Sequence, residues 1–93
     1  MPTYVMLTNL TSEGVKTLKS NPGRVSEVNR EVEALGARVV TQFATLGQYD
    51  FVSIIEAPSD EVMARVSVEM GSRGTMSSQT LAALPAERLS EVL

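Results

Sequence analysis

The sequence predicts an α+β fold in which a four-stranded antiparallel sheet carries its helices on one face. Four stretches of β-forming residues alternate with two helical stretches in the order β-α-β-β-α-β. No repeat or low-complexity linker divides the 93 residues. We therefore expect one domain over residues 1–93, with a short C-terminal helix at about 85–93.

The first part of the chain predicts one strand and a bent helical region. "TYVMLTN", residues 3–9, is a strand by its composition. Thr11 is placed to cap a helix that begins "SEGVKTLK". Asn21 before Pro22 is typical of a new helix start, so two helical pieces should meet at a bend. The second piece ends before Gly36 and carries an apolar stripe made of Val25, Val28, Val32 and Leu35.

The rest of the chain predicts a hairpin, a helix, a strand and a tail. "ARVVTQFATL" and "DFVSIIEA" are strands joined by a tight turn at residues 47–49. Ser59, directly after Pro58, caps a helix that ends at Gly71 and whose buried arc consists of Val62, Met63, Val66 and Met70. "TMSSQTL" is the fourth strand, and Pro85 starts the terminal helix. This order of elements is the ferredoxin-like, split βαβ arrangement.

Composition narrows the classes of function. The chain contains neither Cys nor His. This excludes thiol nucleophiles, disulfides, the Ser-His-Asp mechanism and His/Cys metal sites, and we expect no cofactor and no metal. A net charge of −3 with eight scattered Lys and Arg provides no basic stripe for nucleic acid. The apolar runs are too short for a membrane span and Met1 leads almost directly into a strand, so we expect a cytoplasmic protein.

Both faces of the predicted sheet are apolar. In the first strand Tyr4 and Met6 point to one side, and Val5 points to the other with Leu7. Helices cover only one face, and each Å² of apolar surface left in water costs about 25 cal/mol. We therefore expect a homo-oligomer, a dimer or higher, packed through the face of Tyr4 and Met6. The terminal helix should cover apolar surface on its own subunit, on a neighbour or on a foreign partner, through Leu89, Val92 and Leu93.

Two segments carry a family resemblance. "ATLGQYDFVSIIEAPSDE" resembles the signature of the GYD domain family, in which a Gly-x-Tyr-Asp turn precedes a strand that ends in an acidic residue, Ala and Pro. "MGSRGTMSSQTL" is similar to that family's Gly-Ser-x-Gly segment before the last strand, and the likeness covers nearly the whole chain. Gly47, Tyr49 and Asp50 match the pattern, with Gln48 at its variable position. The resemblance implies a fold of the dimeric α+β barrel type, found in ligand-sensing domains, small monooxygenases and lactone isomerases.

Tyr49 and Asp50 are the candidate catalytic or ligand-binding residues. Asp50 could act as a base with the Tyr49 hydroxyl as a donor beside it. Adjacent strand residues face opposite ways, however, so we expect Asp50 chiefly to order the turn and Tyr49 to pack at the edge of the sheet. Arg38 and Arg73 are further candidate ligand contacts. Arg73 lies in "GSRG", which follows a helix and therefore meets the negative end of its dipole, where anions are disfavoured.

Three functions remain open. The first is a small oligomeric module that binds a small-molecule ligand or a partner protein. The second is a cofactor-independent enzyme of the α+β-barrel type, an isomerase or small oxygenase, that uses Tyr49 and Asp50. The third is an accessory or assembly subunit that docks through its C-terminal helix. We favour the first because it needs no catalytic set, which agrees with the lack of His and Cys.

Overall fold

A computed structural model describes every residue from Met1 to Leu93. The sheet has the strand order β2-β3-β1-β4, and all neighbouring strands are antiparallel. This confirms the predicted α+β, ferredoxin-like fold. In chain order the elements are β1 Thr3–Leu10, α1 Ser12–Ser20, α2 Arg24–Ala34, β2 Arg38–Ala44, β3 Phe51–Glu56, α3 Asp60–Gly71, β4 Met76–Ala83, a 3-10 turn Ala86–Arg88 and α4 Leu89–Val92.

The two predicted helix caps are present. The Thr11 hydroxyl accepts a hydrogen bond from the Gly14 backbone N–H at 3.2 Å, and the Ser59 hydroxyl accepts one from the Val62 N–H at 3.3 Å. Each bond satisfies a donor that has no partner inside the first turn of its helix. These short polar side chains therefore fix where α1 and α3 begin.

The bend between α1 and α2 is present, but its capping differs from the prediction. Asn21 closes α1, because its backbone N–H donates to the Thr17 carbonyl at 2.9 Å. The chain then turns through residues 22–23, and α2 begins at Arg24. The prediction that Asn21 starts the second helix is therefore wrong. At the other end of α2, Gly36 has a φ of 101° and supplies the left-handed residue that ends the helix.

The helices cover the sheet face that carries Tyr4 and Met6. Both side chains are buried, at 3% and 4% exposure, and belong to one core with Ile55 of β3 and Met63, Val66 and Met70 of α3. The prediction that Tyr4 and Met6 face a second subunit is therefore wrong. Alternation along a strand separates two faces, but it does not say which of them the crossover helices take.

Tyr4 also makes a polar contact at the edge of this core. Its hydroxyl donates a short hydrogen bond to the Asp60 carboxylate in the first turn of α3. That bond, together with burial and the negative charges of Asp60 and Glu61, raises the pKa of Tyr4 to about 12. The contact lets a tyrosine occupy a core position with its hydroxyl satisfied.

The opposite face of the sheet carries no helix. Strand pairing places Val5 opposite Ile54 and Leu81, and Leu7 opposite Val52. On β2, Phe43 also pairs with Val52, and its side chain is 58% exposed. This surface is called the open face below and is defined by Val5, Leu7, Phe43, Val52, Ile54 and Leu81.

The C-terminal tail presents apolar side chains to solvent. The 3-10 turn runs directly into α4. The short terminal helix is thus present where the sequence predicts it, with the exposed residues Leu84, Leu89, Val92 and Leu93. A helix this short needs external packing to persist.

Gly14 sets how closely α1 approaches the segment before β4. A Cβ atom at Gly14 would lie 2.0 Å from the Thr75 carbonyl oxygen. That oxygen accepts the Thr11 backbone N–H at 3.0 Å, so it cannot retreat without breaking the start of the helix. We predict that Gly14→Ala lowers the free energy of unfolding by about 2–3 kcal/mol, measured by urea denaturation.

Gly71→Ala is the matched control for this prediction. A Cβ atom at Gly71 would meet no atom within 4 Å, and Gly71 ends α3. The control should therefore be neutral or stabilise by up to about 1 kcal/mol, since alanine favours a helix. Equal stability of Gly14→Ala and the wild type would contradict the close approach.

Candidate functional site

Asp50 ties the Gly-Gln-Tyr-Asp turn to the end of β1. Its carboxylate Oδ2 accepts the Leu10 backbone N–H at 2.8 Å, and its own N–H donates to the Thr8 carbonyl at 2.8 Å. Its carbonyl accepts the Thr45 N–H at 2.8 Å, which closes the loop between β2 and β3. The carboxylate and both backbone groups are thus engaged in holding the hairpin against β1.

Tyr49 points away from this clamp. Its hydroxyl donates to the Gln79 side chain on β4 at 3.2 Å, and its carbonyl accepts the Thr45 hydroxyl at 2.6 Å. Gln79 pairs with Leu7 of β1, which places the Tyr49 hydroxyl at the rim of the open face. Tyr49 and Asp50 therefore do not converge on one pocket.

The two candidate arginines lie at separate places. Arg38 pairs with Glu56 at 3.8 Å. The two are partners at the end of the β2–β3 hairpin that lies farthest from Asp50. Arg73 forms an ion pair with Glu31 at the mouth of a cavity. Of the four candidate residues, only Arg73 lines that cavity.

The cavity lies between the sheet and the two helical pieces α1 and α2. Its volume is about 90 Å³, and its walls are mostly apolar. They include Leu18 of α1, Val28 of α2, Phe51 of β3, Met70 of α3 and Met76 of β4. Both helices contribute to the helix side of this space, α1 through Thr17 and Leu18 and α2 through Val25 and Val28.

Polar side chains line the floor of the cavity. The Asn29 side-chain amide of α2 donates to the side-chain Oε1 of Gln42 at 3.0 Å, and the Gln42 Nε2 donates to the Ser53 hydroxyl at 2.9 Å. Ser53 and Thr8 are 3% and 5% exposed, although both carry hydroxyl groups on the helix-covered face. The Thr8 hydroxyl has no partner in the protein. Since no side-chain polar atom is both fully buried and unpaired, that hydroxyl reaches the open space of the cavity.

The mouth of the cavity is bridged by ion pairs. Arg24 lies 3.2 Å from the carboxylates of both Glu27 and Glu31, and Arg73 contacts the other oxygen of Glu31. The hydrogen bond from Arg73, with that from Arg24, holds the pKa of Glu31 below its usual range, and Arg24 with Asn21 does so for Glu27. Two guanidinium groups thus face two carboxylates, and the mouth has no net charge.

The residues of the cavity floor were not predicted from the sequence. Thr8, Gln42 and Ser53 interrupt the apolar pattern on the helix-covered side of three different strands. That interruption is the signal by which they could have been found. The interruption cannot be recognised as long as the face of Tyr4 and Met6 is assigned to a second subunit and not to the helices.

Comparison with known proteins identifies the family. The family model of the GYD domain matches residues 4–93. The chain belongs to the GYD domain family. This confirms the resemblance carried by the Gly47–Asp50 turn and its flanking strand. No helix in this member of the family is long and apolar enough to cross a membrane.

Two proteins from Thermus thermophilus are similar to this GYD domain. One is described as a glutamine synthetase and cystathionine beta-lyase binding protein and is 46% identical over 86 residues, covering 91% of this chain and 90% of that protein. The other is TTHA0845, whose crystal structure matches with a TM-score of 0.59 at 20% identity, covering 92% of this chain and 96% of that one. The second likeness concerns the fold alone.

The clamp formed by Asp50 leads to a stability prediction. Asp50→Ala removes the acceptor for the Leu10 N–H and should lower the free energy of unfolding by about 1–2 kcal/mol. Asp50→Asn keeps a side-chain oxygen and should cost less than about half of that. Thermal melts of the two variants beside the wild type measure both. A higher melting temperature for Asp50→Ala would instead indicate a strained functional carboxylate.

Proposed function

We propose that this GYD domain is a non-catalytic module whose function is to bind another protein. The observation that carries the proposal is the relative described as a binding protein of glutamine synthetase and cystathionine beta-lyase, which matches 91% of this chain at 46% identity. Similarity of this extent favours a common mode of action. In this proposal the partner is a metabolic enzyme.

The geometry of the Gly47–Asp50 turn supports a non-catalytic role. A general base must lie within hydrogen-bond reach of a substrate proton, together with its partner groups. Asp50 is instead engaged with the Leu10 N–H, and the Tyr49 hydroxyl bonds Gln79 at the rim of the open face. No observation favours the isomerase or oxygenase alternative over binding.

The open face supports self-association as part of the same proposal. Four strands spaced about 4.8 Å apart, with about seven residues each, present roughly 400–450 Å² of planar surface. Two copies packed face to face would cover about twice that planar area, roughly 800–900 Å². This is below the roughly 1,200 Å² at which stable interfaces begin, and the side chains that project from both faces add to the accessible area that is buried. We assign the open face to a second copy of this chain, because an apolar sheet face packs well on another at about 10 Å separation.

The tail is then the surface left for a foreign partner. Leu89, Val92 and Leu93 are exposed on a short helix that its own subunit does not cover. Apolar positions three and four residues apart are the spacing by which a helix docks into a groove. The proposed molecule is therefore a dimer that offers two such helices.

Disruption of the open face tests the dimer. Phe43→Glu places a charge in the proposed interface, and because Phe43 is largely exposed in the single chain, the fold should survive. We expect a dimeric mass for the wild type at micromolar concentration and a monomeric mass for the variant, measured by light scattering. Val15→Glu is the control, since Val15 is equally exposed but lies on α1. A monomeric wild type would contradict the dimer.

Direct binding tests the partner. We expect the wild-type chain to bind glutamine synthetase or cystathionine beta-lyase from its own organism in biolayer interferometry. Replacing Val92 and Leu93 together by serine should weaken that binding at least tenfold, because their apolar area is what the partner would cover. Ser90→Ala on the same helix is the control. Absence of binding by the wild type would sink the partner proposal, and unchanged binding by the double variant would remove the tail from it.

A further inference from the structure

A second site lies in the cavity under α1 and α2, apart from both the open face and the tail. We propose that this cavity binds a small neutral organic molecule that has a short apolar body and a hydrogen-bond-accepting group such as an amide or ketone carbonyl. The proposal goes beyond protein binding and stands without it. It rests on the floor, the walls and the mouth of the cavity in turn.

The floor offers two hydroxyl groups that can donate to a ligand. Thr8 is nine-tenths buried, and its hydroxyl has no partner in the protein. The Ser53 hydroxyl already accepts from Gln42, so its own hydrogen remains to be donated. Strand pairing of Thr8 with Phe51, and of Ser53 with Met6, makes the two residues diagonal neighbours on one face.

On the core side of a strand, a hydroxyl that no protein group pairs is costly unless a water or a ligand in the cavity satisfies it. Valine has nearly the shape of threonine and would fill the same β1 position without that cost. The neighbouring positions on this side of β1 are Tyr4 and Met6, which do belong to the core. A ligand carbonyl oxygen that accepts a hydrogen bond from Thr8 would explain why a hydroxyl group stands at this position, since packing alone does not require one.

The size and walls of the cavity limit the ligand. On the scale where one water needs about 10–15 Å³, a volume of about 90 Å³ holds a molecule of roughly six to nine non-hydrogen atoms. The walls that would contact such a molecule are the side chains of Leu18, Val28, Phe51 and Met76. A branched aliphatic group of four or so carbons suits that lining.

The ion pairs at the mouth of the cavity favour a neutral ligand over a charged one. Both guanidinium groups there are already paired, Arg24 with Glu27 and Glu31, and Arg73 with Glu31. A carboxylate ligand would have to displace Glu31 from Arg73 or lie unpaired beside the remaining glutamates. A neutral molecule can bind in the cavity without breaking these ion pairs.

Methionine methyl resonances test the proposal in the full-length protein. Met6, Met70 and Met76 line the cavity, whereas Met1 and Met63 do not, so labelled methyl groups provide both reporter and internal control. The probes are isobutyramide and isobutyrate, which share one shape and differ in charge. We expect isobutyramide to shift the three cavity methyls saturably at millimolar concentration, and isobutyrate to bind at least fivefold more weakly.

Two threonine variants complete the test. Thr8→Val should fold normally and weaken isobutyramide binding about fivefold, the effect of one hydrogen bond. Thr80→Val is the control, because the Thr80 hydroxyl is paired with Ser67 outside the cavity, and it should bind like the wild type. A cooperative thermal melt verifies that each variant is folded.

Three results would overturn the proposal. The first is the absence of saturable shifts at the cavity methyls with isobutyramide, which would indicate a cavity occupied by solvent alone. The second is tighter binding of isobutyrate, which would indicate an anion site at the arginines. The third is equal binding of isobutyramide to Thr8→Val and to the wild type, which would separate the ligand from the hydroxyl floor.

Discussion

The register of β1 is the constraint on which the rest of the structure depends. β1 lies between β3 and β4 and hydrogen-bonds to both, so every other element is positioned relative to it. Its side chains alternate between the core and the open face. A slip of one residue would exchange the two sets, sending Leu7 into the core and Thr8 into solvent. The bonds from Asp50 to Thr8 and Leu10 hold the hairpin against β1 at its end and so oppose such a slip.

The parts of the fold that depend on residues close in sequence could be predicted, and those that depend on distant residues could not. The caps at Thr11 and Ser59 and the break before α2 depend on neighbouring residues, and the sequence predicts the helices from them. Asn21 was misassigned because the same residue type favours the end of one helix and the start of the next. The face that the helices cover depends on the hand of the crossover and on the pleat of β1, and alternation alone contains neither.

The candidate site was harder to predict than the fold because its residues are brought together from distant parts of the chain. Thr8, Gln42 and Ser53 come from three strands, and Arg73 reaches Glu31 from the loop after α3. The Gly47–Asp50 turn stands out in the sequence because a tight turn concentrates special residues. Its special residues are explained by backbone geometry, with Gly47 at a φ of 125° and Asp50 in the β1 clamp. The turn that stands out most in the sequence therefore does not line the cavity.

The small size of the core connects the cavity with the open face. Only 12 of the 93 residues are buried in the single chain, so each unfilled or uncovered apolar surface matters to its stability. A ligand in the cavity and a second copy on the open face would each stabilise the folded chain by mass action. They would act through opposite sides of the same strand, since Thr8 faces the cavity and Leu7 faces the open face. The hydrogen bonds on both edges of β1 hold this strand between the two surfaces, so the sheet keeps them structurally close while their ligands contact different side chains.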